Sequence, residues 1–126
     1  MKGSQKIIDK LNFLLIGELT SMDLYFLHSK IYADMGLTKL HERIAHEMTD
    51  EIDHAGRIID RILFLEGKPD LSKRDAYDYH TDVEKMLKQS LVFEYDVAKN
   101  LKEVMTLCEQ EKDYVTRELL SELLVQ

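Results

Sequence analysis

The sequence predicts an all-α protein, a bundle of four helices with a long crossover between the second and the third. One proline and five glycines are few helix breakers for 126 residues. Apolar residues recur at helical spacing through three long segments. The polar segment 67–81 is long enough to cross from one end of a small bundle to the other. We therefore expect a single domain over 1–126, in which an apolar share of 44% supplies one core.

Each predicted helix has a start or stop signal. Ser4, Thr38 and Thr81 are candidate N-caps, because a side-chain oxygen at that position accepts a hydrogen bond from the first helical turn. Gly36 ends the first helix, and the segment 67–70 ends the second. The short turn at Gly36 predicts an antiparallel hairpin, and the crossover predicts a third helix parallel to the second. The predicted helices cover about 4–34, 38–66, 82–111 and 113–126.

The charge balance argues against several partners. With 24 acidic and 17 basic residues the net charge is −7, which repels nucleic acid and anionic membrane and attracts cations. No apolar run approaches the length of a membrane span. The lone cysteine, Cys108, has no partner for an internal disulfide, which is typical of a reducing compartment. We expect a cytoplasmic protein with no nucleic-acid or membrane partner.

Four polar residues fall on the apolar stripes of their predicted helices. They are Glu18 on the first helix, Glu51 and His54 on the second, and Glu94 on the third. A buried carboxylate is costly unless a positive group neutralises it. The Glu-x-x-His spacing of Glu51 and His54 places both on one helix face, as in bundles that hold paired transition metals. The pattern predicts a metal site in the core, and the alternative is a solvated pair on a helix surface.

The end of the chain predicts an incomplete fourth helix. The last leucines are still in helical rhythm when the sequence stops at Gln126: Leu119, Leu120, Leu123 and Leu124. At 1.5 Å per residue the third helix would be roughly 45 Å long and the fourth about 20 Å. We expect either that the chain has been shortened or that another element covers the third helix.

Several motifs resemble the bacterioferritin family, and the resemblance spans the whole chain. The matching segments are 11–19, 25–28, 50–55, 61–67 and 98–101. This resemblance implies a ferritin-like four-helix bundle. It also implies iron storage: the family assembles hollow cages of 24 subunits that oxidise Fe²⁺ with O₂ or peroxide and keep a ferric mineral inside.

The resemblance also implies a site. Glu18, Glu51, His54 and Glu94 match four of the six ligands of the family's di-iron ferroxidase centre, with Glu51 bridging the two irons. The second Glu-x-x-His pair belongs just beyond the last residue of this chain. We therefore expect a cage-forming ferroxidase subunit in a homo-oligomer. The alternative is a non-catalytic, structural subunit of a mixed ferritin shell.

Heme binding and a second iron site are also implied by the resemblance, each with an alternative. Ile52 stands where heme-binding members carry the methionine ligand, and isoleucine cannot bind iron, which weakens a heme b electron carrier. Met48 lies one turn away and would be the substitute ligand, or else a packing residue. His46 and Asp50 match an inner-surface iron site, or else form an exposed polar pair.

The sequence gives weaker support for the roles of the remaining aromatic, histidine and cysteine side chains. Tyr25 lies two turns from Glu18 on the same stripe, and in the family this tyrosine lies near the irons and can donate an electron. Structural packing is the equal alternative. We interpret the others as structural or solvent-facing, with the cysteine a buried inert thiol: His28, His41, His80 and Cys108.

Overall fold

A computed structural model describes residues 2–125, which fold into four α-helices. The helices are α1 (Gln5–Asp34), α2 (Thr38–Phe64), α3 (Val83–Gln110) and α4 (Tyr114–Leu124). No strand occurs in this part of the chain. The all-α, four-helix prediction is confirmed, and the bounds lie close to the predicted ones. The two chain ends of the predicted domain, Met1 and Gln126, lie outside the described residues.

Two predicted N-caps are wrong. Thr38 is already the first residue of α2, because the turn ends earlier and Leu37 occupies the cap position without a side-chain acceptor. At α3, the cap is Asp82 and not Thr81. The Asp82 Oδ2 accepts a hydrogen bond of 3.0 Å from the backbone N–H of Lys85. A carboxylate at this position also interacts favourably with the positive end of the helix dipole.

The helices form two antiparallel hairpins that pack side by side. α1 packs against both α2 and α3, and α4 packs against α3 and α2, so α2 and α3 lie diagonally across the bundle. Ser4, at the start of α1, donates a hydrogen bond of 2.8 Å to Glu111, at the end of α3, and makes no side-chain cap. α1 is therefore antiparallel to α3, and α3 runs parallel to α2, as the crossover predicted.

The crossover lies along α1 and is held there by side chains of that helix. The Asn12 amide donates to the carbonyl of Lys68 at 3.1 Å and accepts from the backbone N–H of Asp70 at 2.9 Å. Further along, Thr20 Oγ1 accepts from the backbone N–H of Asp75 at 2.9 Å. One face of α1 therefore contacts this irregular segment, which leaves its other faces for α2 and α3.

The turns at the two ends of α2 each contain a residue with a positive φ angle. Gly36, before α2, has a φ of +78°, which glycine adopts without a steric cost. After α2, the left-handed residue is Glu66, with a φ of +62°, and the helix therefore ends at Phe64, short of the predicted 66. Gly67 is required for a different reason: a Cβ there would lie 2.7 Å from Ile8 Cγ2.

The core lies between α1 and the other helices, and it does not reach all of α3. Fully buried side chains include Leu15, Ile58 and Leu120, whereas Leu87 and Leu91 of α3 are each 48% exposed. The difference arises because the 11 residues of α4 pack against only part of the 28-residue α3. Within residues 2–125, no helix combines the length and apolar content needed to cross a membrane.

Candidate metal centre

Three of the four predicted ligands meet in the middle of the bundle. Glu18 projects from α1, and Glu51 and His54 project from the same face of α2, because three residues are close to one helical turn. His54 Nδ1 lies 3.5 Å from Glu18 Oε2 and 3.8 Å from Glu51 Oε2. Two ligands of one transition-metal ion, each about 2.1 Å from it, lie at most about 4.2 Å apart. Both distances are therefore compatible with a shared ion.

The burial of these groups points to a cation. Glu18 is 1% exposed, Glu51 9% and His54 6%. Within residues 2–125, neither carboxylate oxygen of Glu18 accepts a hydrogen bond, and neither does Oε2 of Glu51. Buried carboxylates without donors are strongly disfavoured unless a positive charge is close. The residues present therefore fit a metal ion with two oxygen ligands and one nitrogen ligand.

Electrostatics in the absence of metal support the same conclusion. Burial raises the pKa of Glu18, and the neighbouring Glu51 carboxyl opposes that effect only in part. Burial also raises the pKa of Glu51, and the adjacent Glu18 carboxyl raises it further. The pair therefore tends to hold a proton, since two carboxylates so close together cannot both ionise easily. A divalent cation would replace that proton.

A cavity of about 280 Å³, here called cavity A, adjoins the cluster. Glu51 and His54 line it from α2 and Glu94 lines it from α3. Apolar side chains of α3 and α4, among them Leu101 and Leu123, form much of the remaining wall. A small ion or molecule in cavity A would therefore contact ligands from two helices.

Glu94 lines cavity A but is not buried, so its predicted place on a buried stripe is wrong. It is exposed, as is Leu87 one heptad before it, because α4 does not cover this half of α3. Burial and the charge of Glu47 still raise the pKa of Glu94, and Arg43 opposes this. Among the described residues, Glu94 is not part of the tight ligand cluster.

Sequence reasoning missed Glu47, a half-buried carboxylate that also lines cavity A. Its charge contributes to the raised pKa values of Tyr25, Glu51 and Glu94. The signal was present in the sequence. Glu47 precedes Glu51 by four residues and His54 by seven, so all three share one face of α2.

Tyr25 is 1% exposed and lines cavity A beside the carboxylates. Burial raises the pKa of its phenol, and the charges of Glu51, Glu94, Glu47 and Glu18 raise it further. The phenol therefore stays protonated at neutral pH. Its position next to the cluster is compatible both with electron donation and with packing.

The residues proposed for a second iron site and for heme lie elsewhere on α2. His46 Nε2 and Asp50 Oδ2 are 3.8 Å apart, and both side chains are substantially exposed. Met48 is half-buried and Ile52 is 50% exposed. These four residues form no group of three ligands within the described part of the chain, in contrast to the buried cluster.

Other predicted structural residues lie away from the cluster. Cys108 is buried, as expected, and burial raises the pKa of its thiol to about 11, which makes it unreactive at neutral pH. His41 Nδ1 lies 2.7 Å from the carbonyl of Ser29. His28 is also buried, and burial lowers the pKa of its imidazole. His80 is half-buried in the crossover.

The fold and the site define a four-helix bundle with a buried carboxylate and histidine metal-binding cluster. A profile of the ferritin-like domain matches residues 8–126. A protein named bacterial ferritin from Synechocystis sp. is 51% identical over 98% of this chain and 80% of its own length. A bacterial ferritin from Neisseria meningitidis serogroup B is 46% identical over 95% and 77%. A bacterioferritin from Brucella melitensis biotype 1 is 36% identical over 98% and 77%.

These similarities extend over nearly the whole chain and are well above the level at which a family is established. The chain belongs to the ferritin-like family.

Proposed function

We propose that this chain is an iron-storage subunit that binds Fe²⁺ and oxidises it to Fe³⁺ at a di-iron ferroxidase centre inside the subunit. The observation that carries this proposal is the buried cluster of Glu18, Glu51 and His54, in which carboxylate oxygens lack hydrogen-bond donors within residues 2–125. Membership of the ferritin-like family supports iron as the metal.

Each ligand has a proposed role. Glu51 belongs to the cluster with Glu18 and His54 and also lines cavity A with Glu94, so it would bridge two ions. Glu18 and His54 would hold one ion, and Glu94 would approach the other across cavity A. Carboxylates are hard ligands and stabilise Fe³⁺ more than Fe²⁺, which favours oxidation. Two Fe²⁺ ions each lose one electron, and a peroxide molecule accepts both; O₂ is the alternative oxidant.

The side chains around the centre would control its charge and its protonation. Because the pKa values of Glu18 and Glu51 are raised, the metal-free cluster retains a proton that cation binding displaces. Tyr25 is protonated and adjacent, so it is positioned to replace one Fe²⁺ as the donor of the second electron that a peroxide accepts, and it would release its phenolic proton with that electron. Apolar residues form much of the remaining wall of cavity A, and their low polarity would strengthen the interaction between carboxylates and cation.

A second candidate function is a non-catalytic, structural subunit of a mixed ferritin shell. The exposure of Glu94 favours it, because Glu94 stands outside the tight cluster that Glu18, Glu51 and His54 form among the described residues. Such a subunit would bind one cation well and would leave oxidation to a related subunit in the same shell.

Aerobic iron oxidation separates the two functions. Fe²⁺ added to the wild-type protein should oxidise rapidly, with the rate followed by ferric absorbance. Glu18→Ala and Glu94→Ala should each slow the oxidation by at least about tenfold. That factor is the smallest loss typical of substitutions at residues that only support metal ligands. Glu42→Ala is the matched control, because Glu42 is an exposed carboxylate on α2 that lines neither the cluster nor cavity A.

Parental rates in both ligand variants would overturn the assigned centre. A wild-type protein that binds Fe²⁺ but oxidises it no faster than buffer would favour the structural subunit. Zn²⁺ should inhibit in the catalytic case, since it accepts the same carboxylate and imidazole ligands and has no redox chemistry.

Assembly and location follow from the same proposal. The subunit would join a closed shell of 24 subunits, either identical or mixed with a related subunit, and work in the cytoplasm, where the lone Cys108 stays reduced. Sedimentation of the purified protein tests the assembly: a discrete species of shell size supports it, and a stable monomer at high concentration contradicts it.

The exposed pair on α2 is proposed as a weak inner-surface iron site. His46 and Asp50 are adjacent, but two exposed ligands hold a cation loosely. Heme is not expected in quantity, because Ile52 offers no ligand and Met48 is the nearest thioether on that helix.

A further inference from the structure

A second cavity, of about 200 Å³ and here called cavity B, lies where α1, the crossover and α3 meet. Ser21 lines it from α1, Asp75 from the crossover, and Asp96 and Asn100 from α3. Within the described chain, none of the residues that line it belongs to α2 or to α4. Cavity B is therefore separate from the buried cluster, and it has room for an ion together with several water molecules.

The position of Asp75 is fixed by contacts of the crossover with α1. The backbone N–H of Asp75 donates a hydrogen bond of 2.9 Å to Thr20 Oγ1. Nε of Arg74, the residue before it, donates to Asp23 Oδ2 at 2.7 Å. These two contacts hold Asp75 against α1, and they engage the guanidinium of Arg74 with a carboxylate that does not line cavity B.

The negative charge of cavity B is not balanced by protein groups. Asp96 and Asn100 lie four residues apart, so both project from one face of α3. Among residues 2–125, the carboxylates of Asp75 and Asp96 form no ion pair and no hydrogen bond, and no basic residue lines the cavity. Two carboxylates that face one cavity without a basic partner attract a cation and repel an anion.

Ser21 gives an independent indication of a ligand. It is 1% exposed, and within the described part of the chain its hydroxyl oxygen has no hydrogen-bond partner. The neighbouring Thr20 hydroxyl donates to the carbonyl of Ile16 at 2.7 Å, a bond within the helix that a serine can also make. A buried polar atom without a partner is costly. A ligand or a water molecule inside cavity B would supply the partner that Ser21 lacks.

The lining of cavity B determines the class of ligand that fits. Carboxylate, amide and hydroxyl oxygens are hard ligands that suit Mg²⁺, Ca²⁺ and Mn²⁺, and no imidazole or thiol lines this cavity among the described residues. Mg²⁺ is usually bound through one or two carboxylates and keeps several water molecules. The two carboxylates and the Ser21 hydroxyl match that description, because coordinated water donates hydrogen bonds.

We propose that cavity B binds a hydrated Mg²⁺ ion, which holds the crossover against α1 and α3. The carboxylates of Asp75 and Asp96 bind the ion, one from the crossover and one from α3. Its water molecules donate hydrogen bonds to the Ser21 hydroxyl and to the Asn100 carbonyl. The site requires neither iron nor oxidation, so it does not rest on the proposed function.

Limited proteolysis of the whole 126-residue chain, first freed of metal with chelator, tests the proposal. Trypsin cleaves after Arg74, directly before Asp75, only when the crossover opens. If Mg²⁺ binds the closed crossover alone, cleavage there should slow by about tenfold at an Mg²⁺ concentration ten times the dissociation constant. Cleavage after Lys112, in the exposed turn between α3 and α4, is the internal reference and should not slow. Mass spectrometry of the fragments measures both rates.

Substitutions that remove one ligand should shift the Mg²⁺ concentration that gives half-maximal protection. Asp75→Asn and Asp96→Asn should each raise it by at least about tenfold, because each removes a charge that contacts a divalent ion. Ser21→Ala should raise it by about two- to threefold, because it removes one acceptor for coordinated water. Asp78→Asn is the matched control, an exposed carboxylate of the crossover outside cavity B, and should leave it unchanged. Circular dichroism without metal shows whether each variant is folded.

Glu51→Gln separates this proposal from the proposed function. It removes a ligand of the buried cluster, so it should slow iron oxidation and leave the protection by Mg²⁺ in place. No protection at tens of millimolar Mg²⁺ would overturn the site, as would wild-type protection in both Asp75→Asn and Asp96→Asn. An equal loss in Asp78→Asn would show general surface charge instead of a site. Protection by 1,4-diaminobutane at lower concentrations than Mg²⁺ would overturn a metal ion as the occupant.

Discussion

The two hairpins of the bundle differ in how deeply they bury their charged residues. In the α1–α2 hairpin, Glu18, Glu51 and His54 are each more than nine-tenths buried and lie within a few ångströms of one another. In the α3–α4 hairpin, Glu94 is exposed, and the leucines before it are half-exposed. The first hairpin holds its charged cluster in place by packing, and the second presents the Glu94 carboxylate to solvent.

The largest expected difference between the hairpins is in core stability. Leu15→Ala on α1 should lower the free energy of unfolding by about 3 kcal/mol, because it opens a cavity at a site with no exposure. Leu91→Ala on α3 should cost less than about 0.5 kcal/mol, because nearly half of that side chain is in solvent. Chemical denaturation of the metal-free protein measures both. Equal losses would mean that the N-terminal half of α3 is covered in solution.

Removing one buried charge should stabilise the metal-free protein. Glu18→Gln keeps the side-chain shape and removes the cost of a carboxylate without donors, so we expect a gain of about 1–2 kcal/mol in the free energy of unfolding. Glu94→Gln, the matched change in the other hairpin, should lie within about 0.5 kcal/mol of wild type. Thermal unfolding in chelator compares the two. Destabilisation by Glu18→Gln would show that the carboxylate is satisfied without metal.

The pH dependence of metal-free stability should follow the buried pair. The pKa values of Glu18 and Glu51 are raised in the folded state, so between the unfolded and folded values the native protein binds more protons than the unfolded chain. Stability should therefore fall as pH rises from about 5 to 8, by at most about 1.4 kcal/mol per pH unit for each group. Glu51→Gln should flatten this slope. A rising slope in the wild type would contradict the assignment.

The smallest expected effect concerns the heme content of the protein. Protein purified with heme available should carry little, because Ile52 offers no ligand on α2. Met48→Leu should abolish what is taken up on reconstitution, since Met48 is the nearest thioether on that helix. Visible absorption spectra measure both. Stoichiometric heme that survives this substitution would require a ligand elsewhere.

Helical spacing was enough to predict the fold and to bring three of the four predicted ligands together. Glu51 and His54 share a face by spacing alone, and the apolar register of Glu18 placed it opposite them. Glu94 had the same kind of register, yet it is exposed, because burial depends on what packs against a stripe and not on the stripe itself. The N-cap of α3 was mispredicted for a different reason: whether Thr81 or Asp82 caps the helix is decided by the local backbone conformation, which residue type alone does not fix. The assignment of Glu18, Glu51, His54 and Glu94 as iron ligands stays a prediction until the variants are measured.

The hydrogen bonds between α1 and the crossover have a consequence for the order of folding. The amide hydrogens of Asp70 and Asp75 belong to a segment without regular structure, yet each is donated to a side chain of α1, to Asn12 and to Thr20. Those acceptors occupy one face of α1 only when that helix has formed. The amide hydrogens of the crossover can therefore become protected from exchange only after α1 has formed. The second hairpin is connected to the first through a segment whose position depends on the folded α1.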